Sequence, residues 1–233
     1  MIETSKKKVL AIIPARGASK GVPKKNLRRL QDKPLLAWTI LVAKKSKYIN
    51  RLILSSDDDE IIRIAKSYNC EVPFVRPLEL AKDDTPGIDP IIHALETLEE
   101  KYDFVVLLQV TSPLRIAEDI DQCLEALLLN DAPASVSVTI SKENPYWMFV
   151  LDRNKRMIPV IQDGKQYFRR QDIPDVYLLN GAVYCSKVEW LLKTRSFICD
   201  QTVAYVMPPE RSIDIDSEND LLRCEHLLAG GRG

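Results

Sequence analysis

The chain has 233 residues, enough for one large domain that buries a full apolar core without staples. Apolar residues make up 45% and charged residues 28%, which excludes a disordered chain, a collagen-like fibre and a small disulfide scaffold. The 33 basic residues balance the 33 acidic ones, which argues against a general nucleic-acid binder, and no apolar run approaches the ~20 residues that cross a bilayer.

Residues 1–8 are polar and basic and lead into a seven-residue apolar run interrupted by Pro14 and Arg16, with no leader cleavage site. That run, residues 9–15, reads as a buried first strand. Residues 34–47 carry helical apolar spacing and a basic last turn. A strand at 51–55, a helix at 58–69 with an acidic start and a short strand at 71–75 follow. Next come a helix at 88–101, a buried strand at 103–108, a helix at 116–129 and a strand at 136–140. The last alternates polar and apolar residues, so it is expected to be half-exposed. Strand and helix alternating over 130 residues predict an α/β fold, a mostly parallel sheet with helices on both faces. In such sheets, ligands sit at the carboxyl ends of the strands, here the loops after Ala15, Ser55 and Leu108.

Residues 141–178 break the pattern. Pro145, Tyr146, Trp147, Phe149, Tyr167 and Phe168 stand there among basic residues, with short strands expected near 148–151 and 157–161. Exposed aromatics in such a β-rich insertion suit an oligomer interface. The α/β alternation then resumes with strands at 181–185 and 202–206 and helices at 188–193 and 218–228. The predicted organisation is therefore an α/β domain over 1–140 and 179–229, the insertion at 141–178, and a flexible tail at 230–233. The five cysteines form no CxxC or Cys/His zinc spacing, so they read as buried small hydrophobes in a reducing cytoplasm. His93 reads as structural.

The densest chemical signal is the loop after the first strand. Residues 13–26 read IPARGASKGVPKKN, placing Arg16, Lys20, Lys24 and Lys25 within ten residues beside two glycines. Glycines let backbone N–H groups converge on an anion, and the cations supply fixed positive charge. A triphosphate needs both. The loop is neither a P-loop nor a dinucleotide GxGxxG, which disfavours a dinucleotide-dependent oxidoreductase.

This segment resembles the signature loop of the acylneuraminate cytidylyltransferases, the CMP-sugar synthetases for nine-carbon acids. Further matches run in order along the chain: LSSDD at 54–58, Arg76-Pro77 with Glu79-Leu80-Ala81 and Asp83, LLQVTSPLR at 107–115, RQDIP at 170–174, NGAVY at 180–184 and SIDID at 212–216. The resemblance spans nearly the whole chain. It implies a Rossmann-like three-layer nucleotidyltransferase fold and the transfer of CMP from CTP to a nonulosonic acid, with release of pyrophosphate. Arg16, Gly17, Ser19 and Lys25 would meet the phosphates, and Asn26, Arg76 and Gly87 the ribose and cytosine. Gln109, Arg170, Asn180 and Tyr184 would face the sugar acid.

Asp214 and Asp216 stand two apart, a spacing that puts both carboxylates on one face of an extended segment. Such a pair suits Mg²⁺ bound to phosphate oxygens. Arg16, Lys25, Asp214 and Asp216 are thus the expected catalytic set. The acidic run at 57–60 reads as a helix start. In the family the insertion packs on a partner subunit, so a homodimer is expected and Arg170 would complete the neighbour's site. The enzyme would be cytoplasmic, with no nucleic-acid or membrane partner. Val110, Gly87 and Leu178 depart from the family pattern, as does the region around Trp147; Leu178 and the Trp147 region touch the sugar side or the subunit contact and leave room for legionaminic, pseudaminic or another nonulosonic acid beside N-acetylneuraminic acid. A synthetase for the eight-carbon acid Kdo and a non-catalytic nucleotide-binding module are the alternatives.

Overall fold

The computed structural model describes residues 7–18, 22–162, 167 and 169–230. Its first strand, β1 (Val9–Pro14), carries apolar side chains at every position, because it is covered on both faces. Val9, Ala11 and Ile13 point into one core and Leu10 and Ile12 into the other, the two-residue alternation of a pleated strand. Each fully buried Leu or Ile contributes about 2 kcal/mol from burial. A two-stranded ribbon, β2 (Arg29–Leu30) and β3 (Lys33–Pro34), turns through Gln31 at φ 54° into α1 (Leu35–Ala43). Then follow β4 (Arg51–Ser55), α2 (Asp59–Ser67), α3 (Asp89–Thr97), β5 (Phe104–Leu107) and α4 (Ala117–Leu129).

The second half opens with β6 (Ala134–Ile140), continues through a small antiparallel pair, β7 (Phe149–Leu151) and β8 (Met157–Pro159), and returns in β9 (Tyr177–Lys187). It closes with α5 (Val188–Thr194), β10 (Val203–Val206) and α6 (Glu218–Gly230). The six-stranded sheet has the order β10-β6-β9-β5-β1-β4. Five strands run parallel; β9 alone is antiparallel to both its neighbours, β5 and β6. Buried residues of α1, α2, α4 and α6 cover one face, and those of α3 and α5 the other, which makes three layers. No helix among the described residues is long and apolar enough to cross a membrane.

Four local expectations change. Residues 71–75 form no strand; Glu71 makes a single bridge to Ile53, and Pro73 interrupts further pairing. The strand expected to be half-exposed, β6, is buried from Ala134 to Val138, because its polar positions are serines satisfied internally: Ser135 donates to the Cys123 carbonyl at 2.6 Å and Ser137 to Asn180 Oδ1 at 2.6 Å. The strand expected at 181–185 runs from Tyr177, inside the predicted insertion. Gly230, placed in a flexible tail, is the last residue of α6, while residues 231–233 lie outside the described set.

Candidate active site

The chain passes from β1 to β4 on one side and then from β4 across to β5 on the other side of β1, so the sheet's switch point lies between β1 and β5. A cavity of about 610 Å³ opens at the carboxyl ends of these strands. Its wall includes Arg16, Lys25, Asn26, Arg76, Gly87, Gln109, Tyr184, Asp214 and Asp216, so nine of the expected site residues converge from six separate segments.

On the cationic side, Arg16 Nη1 donates to the Lys82 carbonyl at 2.7 Å, and Nη2 pairs with Asp83 at 2.8 Å. Asn26 Nδ2 donates to the Arg16 carbonyl at 2.8 Å, which fixes the turn that carries Arg16. Lys25 Nζ donates to the Ile215 carbonyl at 2.8 Å and to Asp216 Oδ1 at 3.0 Å. Arg76 is buried, with Nε donating to Ser55 Oγ at 3.1 Å and Nη2 to the Ser55 carbonyl. Burial pulls its guanidinium down to about 10, with Arg16 adding to the effect and Asp57 opposing it, so it remains a cation at neutral pH.

Gly17 has a packing reason to lack a side chain: a Cβ there would stand 2.7 Å from Asp58 Oδ2. Its N–H donates to Asp57 Oδ1 at 3.2 Å. Asp58 caps α2 by accepting from the Ile61 N–H at 2.9 Å, and Glu60 pairs with Lys24 at 2.8 Å. The acidic run is thus engaged in capping and loop support, in line with its reading as a helix start. Ser19 lies outside the described residues.

On the acidic side, Ile213 and Ile215 are buried while Asp214 and Asp216 line the cavity, the alternation expected of an extended segment. Burial raises the Asp214 carboxyl above its ordinary value; a Thr111 hydrogen bond opposes this, and Asp216 adds repulsion. Asp214 Oδ1 is buried with no hydrogen-bond partner. An orphaned carboxylate oxygen beside a second carboxylate fits a hard cation. No cluster of three or more His, Cys, Asp or Glu exists among the described residues.

Two expected sugar ligands lie elsewhere. Asn180 is buried outside the cavity wall: Nδ2 donates to Ser212 Oγ at 3.0 Å, and Oδ1 accepts from Ser137 and from the Ala182 N–H. It ties β9 to the segment leading to Asp214. Arg170 is exposed on a short turn of the insertion and donates to the Lys142 carbonyl at 3.0 Å. The cavity also recruits Lys82 and Phe197, which the motif reading passed over. Phe197 packs on Tyr184 with ring centroids 5.6 Å apart, and burial raises the Tyr184 phenol above its ordinary value. Lys82 stands between Ala81 and Asp83 within the matched 76–83 stretch but is not one of its matched positions, and Phe197 lies in an irregular link between α5 and β10, where no periodicity marks it.

Residues 10–189 match the cytidylyltransferase family. The chain is 32% identical to a CMP-N,N'-diacetyllegionaminic acid synthase of Legionella pneumophila, over 95% of this chain and 96% of that one. It is 35% identical to an N-acylneuraminate cytidylyltransferase of Streptococcus agalactiae, over 92% of this chain and 52% of the longer relative. Its fold superposes on a CMP:2-keto-3-deoxy-manno-octonic acid synthetase complexed with CTP, with TM-score 0.73 at 15% identity, covering 96% and 99% of the two chains. With its cations and paired aspartates brought to one cavity at the sheet's switch point, the chain is a nucleotidyltransferase and belongs to the cytidylyltransferase family.

Proposed function

We propose that the protein transfers CMP from CTP to the anomeric oxygen of a nine-carbon 2-keto sugar acid, such as N-acetylneuraminic, legionaminic or a related nonulosonic acid. The observation that carries this reading is the meeting of Lys25, Asp216 and Asp214 with Arg16, Arg76 and Gln109 around one cavity. The anomeric oxygen attacks the α-phosphorus, the bond to the β-phosphate oxygen breaks, pyrophosphate leaves opposite, and the hydroxyl proton passes to solvent. Little covalent chemistry falls to the protein, so positioning and charge stabilisation dominate.

Arg16 and Lys25 neutralise the triphosphate and the departing pyrophosphate. To do so, Arg16 exchanges Asp83 for phosphate oxygens, one anionic partner for another. Arg76, Asn26 and the backbone around Gly87 face the nucleoside. Gly87 has open space where a Cβ would stand, so this part of the wall relies on backbone groups. Asp214 and Asp216 would hold Mg²⁺, which when bound supplies a Lewis acid to the phosphate oxygens. Gln109 and Tyr184 face the sugar acid, with Phe197 closing the apolar side.

The insertion exposes an apolar surface made of Trp147 just before β7, Phe149, Val150 and Leu151 on β7, and Met157 and Ile158 on β8. A homodimer through this surface accounts for it and carries Arg170 to the partner's cavity, where its guanidinium grips the substrate carboxylate. The enzyme works in the cytoplasm, where CTP is available, and needs neither nucleic acid nor membrane.

The test is pyrophosphate release with CTP and Mg²⁺ across N-acetylneuraminic, legionaminic, pseudaminic and Kdo acids, with UTP and ATP as controls. Release with CTP and a nine-carbon acid supports the reading. Release only with Kdo, or tight CTP binding without release from any acid, overturns it.

A further inference from the structure

Arg115, in the loop that joins β5 to α4, is the largest side chain among the fully buried residues, 1% exposed. It makes no ion pair among the described residues. The carboxylate on the adjoining helix, Asp119, is held instead by Arg211, through Nε at 3.0 Å and Nη2 at 2.8 Å. A guanidinium buried without a carboxylate is costly, and an apolar side chain of similar volume would fill the same space at less cost. Burial pulls Arg115 down to about 9, while the fields of Asp119 and Asp214 oppose the shift, so it stays cationic at neutral pH.

What only a guanidinium does here is hold several oxygens from different elements at once. Nη1 donates to the Gln109 carbonyl at 2.8 Å and to the Ala182 carbonyl at 2.8 Å. Nη2 donates to Thr39 Oγ1, on α1, at 2.6 Å. The first acceptor lies two residues past the end of β5, at the cavity wall, and the second lies on β9, the antiparallel neighbour of β5. Between them stands Gly181, at φ 72°, so close that a Cβ would be 2.7 Å from Gln109 Oε1 and 3.4 Å from Asp214 Oδ2. The fork on Arg115 therefore sets how far Gln109 stands from Gly181, and with it the gap between Gln109 and Asp214.

We propose that Arg115 is a positioning residue for the sugar acid: it fixes the Gln109 and Gly181–Ala182 backbones so that the Gln109 amide and the Asp214 carboxylate face the substrate at a set separation. This rests on the reading that Gln109 contacts the sugar acid. Nucleotide contacts through Arg16, Lys25 and Arg76 come from other segments and do not depend on the fork.

Three variants test it: Arg115→Met, Arg115→Lys and Thr39→Val. Thr39 is buried on α1 outside the cavity wall, so its loss weakens the fork without touching substrate. Thr39→Val is expected to raise the KM for the sugar acid about fivefold and leave the KM for CTP within about twofold. Arg115→Met is expected to raise the sugar-acid KM about 100-fold, with Arg115→Lys in between, since an ammonium reaches one carbonyl at a time. Hydrogen exchange should quicken in segments 108–112 and 180–184 and not elsewhere.

Equal rises in both KM values, or unchanged kinetics in Thr39→Val, would overturn the assignment. If Arg115→Met does not fold, Thr39→Val decides alone. If the unmodified enzyme turns over no nine-carbon acid, the proposed function fails by itself. The exchange data on Thr39→Val then still decide whether the fork holds the two segments, and unchanged exchange there would sink it.

Discussion

Lys25 and Asp216, 191 residues apart in the chain, meet at 3.0 Å across the mouth of the cavity. The lysine also binds the Ile215 carbonyl, so the basic loop after β1 and the acidic segment before α6 are joined through one ammonium. Lys25 is mostly buried and Asp216 mostly exposed, which leaves the carboxylate free to turn toward a cation while the ammonium stays in place. Lys25→Met is therefore expected to lower kcat/KM about 100-fold, by removing charge that faces the leaving pyrophosphate. Steady-state kinetics with CTP check this, and a loss confined to KM would assign Lys25 to binding alone.

Asp214 combines a necessary charge with an unfavourable place. Its folded value lies above the ordinary 3.8 through burial. A group raised in this way stabilises the fold fully only below 3.8, and that stabilisation is lost as the pH rises through the raised value. At neutral pH the ionised carboxylate therefore opposes folding. Asp214→Asn is expected to melt above the unmodified protein at pH 7 with chelator present, and the gap should close as pH approaches 3.8. The same variant should lose about 10²–10³ in kcat. Thermal melts across pH and initial rates measure the two effects.

Much of this site is legible in the sequence, because its residues sit in short runs with chemical meaning. Two glycines among four cations single out the loop whose Arg16 and Lys25 reach the cavity, and aspartates two apart on a strand-like segment mark a shared face. The strands β1 and β5 are legible because residues buried on both faces read as unbroken apolar runs, and β4 because it carries the short apolar run at 52–54. Direction is a different matter. β9 carries no mark of being antiparallel, since that depends on which strands it joins. The serines of β6 read as solvent-facing because serine polarity gives no hint of the internal acceptors that satisfy it. Asn180 reads as a ligand from its motif, while in the fold its side chain is buried against Ser137, Ala182, Met207 and Ser212.

Gly181 is the tightest backbone position in the site. An alanine there would take φ 72° with its Cβ against Gln109 Oε1. The left-handed conformation alone costs about 1–2 kcal/mol, and Gln109 must also move. Gly181→Ala should shift the urea midpoint down and raise the sugar-acid KM, while Gly87→Ala, with open space at its Cβ, should leave both near the original values.

The proposed dimer makes a prediction that no single-chain reading shares. Arg170 lies outside its own cavity wall, so Arg170→Ala and Asp214→Asn damage different halves of a composite site. Each variant alone should be nearly inactive. Mixed and allowed to exchange subunits, they should recover about a quarter of the original activity, because half the dimers are mixed and each has one intact site. Phe149→Asp should yield monomers in sedimentation and abolish the recovery. No recovery on mixing would place Arg170 outside the partner's site.

The most direct test of the central claim is ³¹P NMR of the enzyme incubated with CTP, Mg²⁺ and a nine-carbon 2-keto sugar acid. The account predicts one phosphodiester resonance and one pyrophosphate resonance growing in equal molar amounts as CTP disappears, with both growing about 10²–10³ times more slowly for Asp214→Asn. CDP with inorganic phosphate, or CMP with pyrophosphate but no phosphodiester, would contradict it, because CTP would then be hydrolysed and no CMP-sugar made.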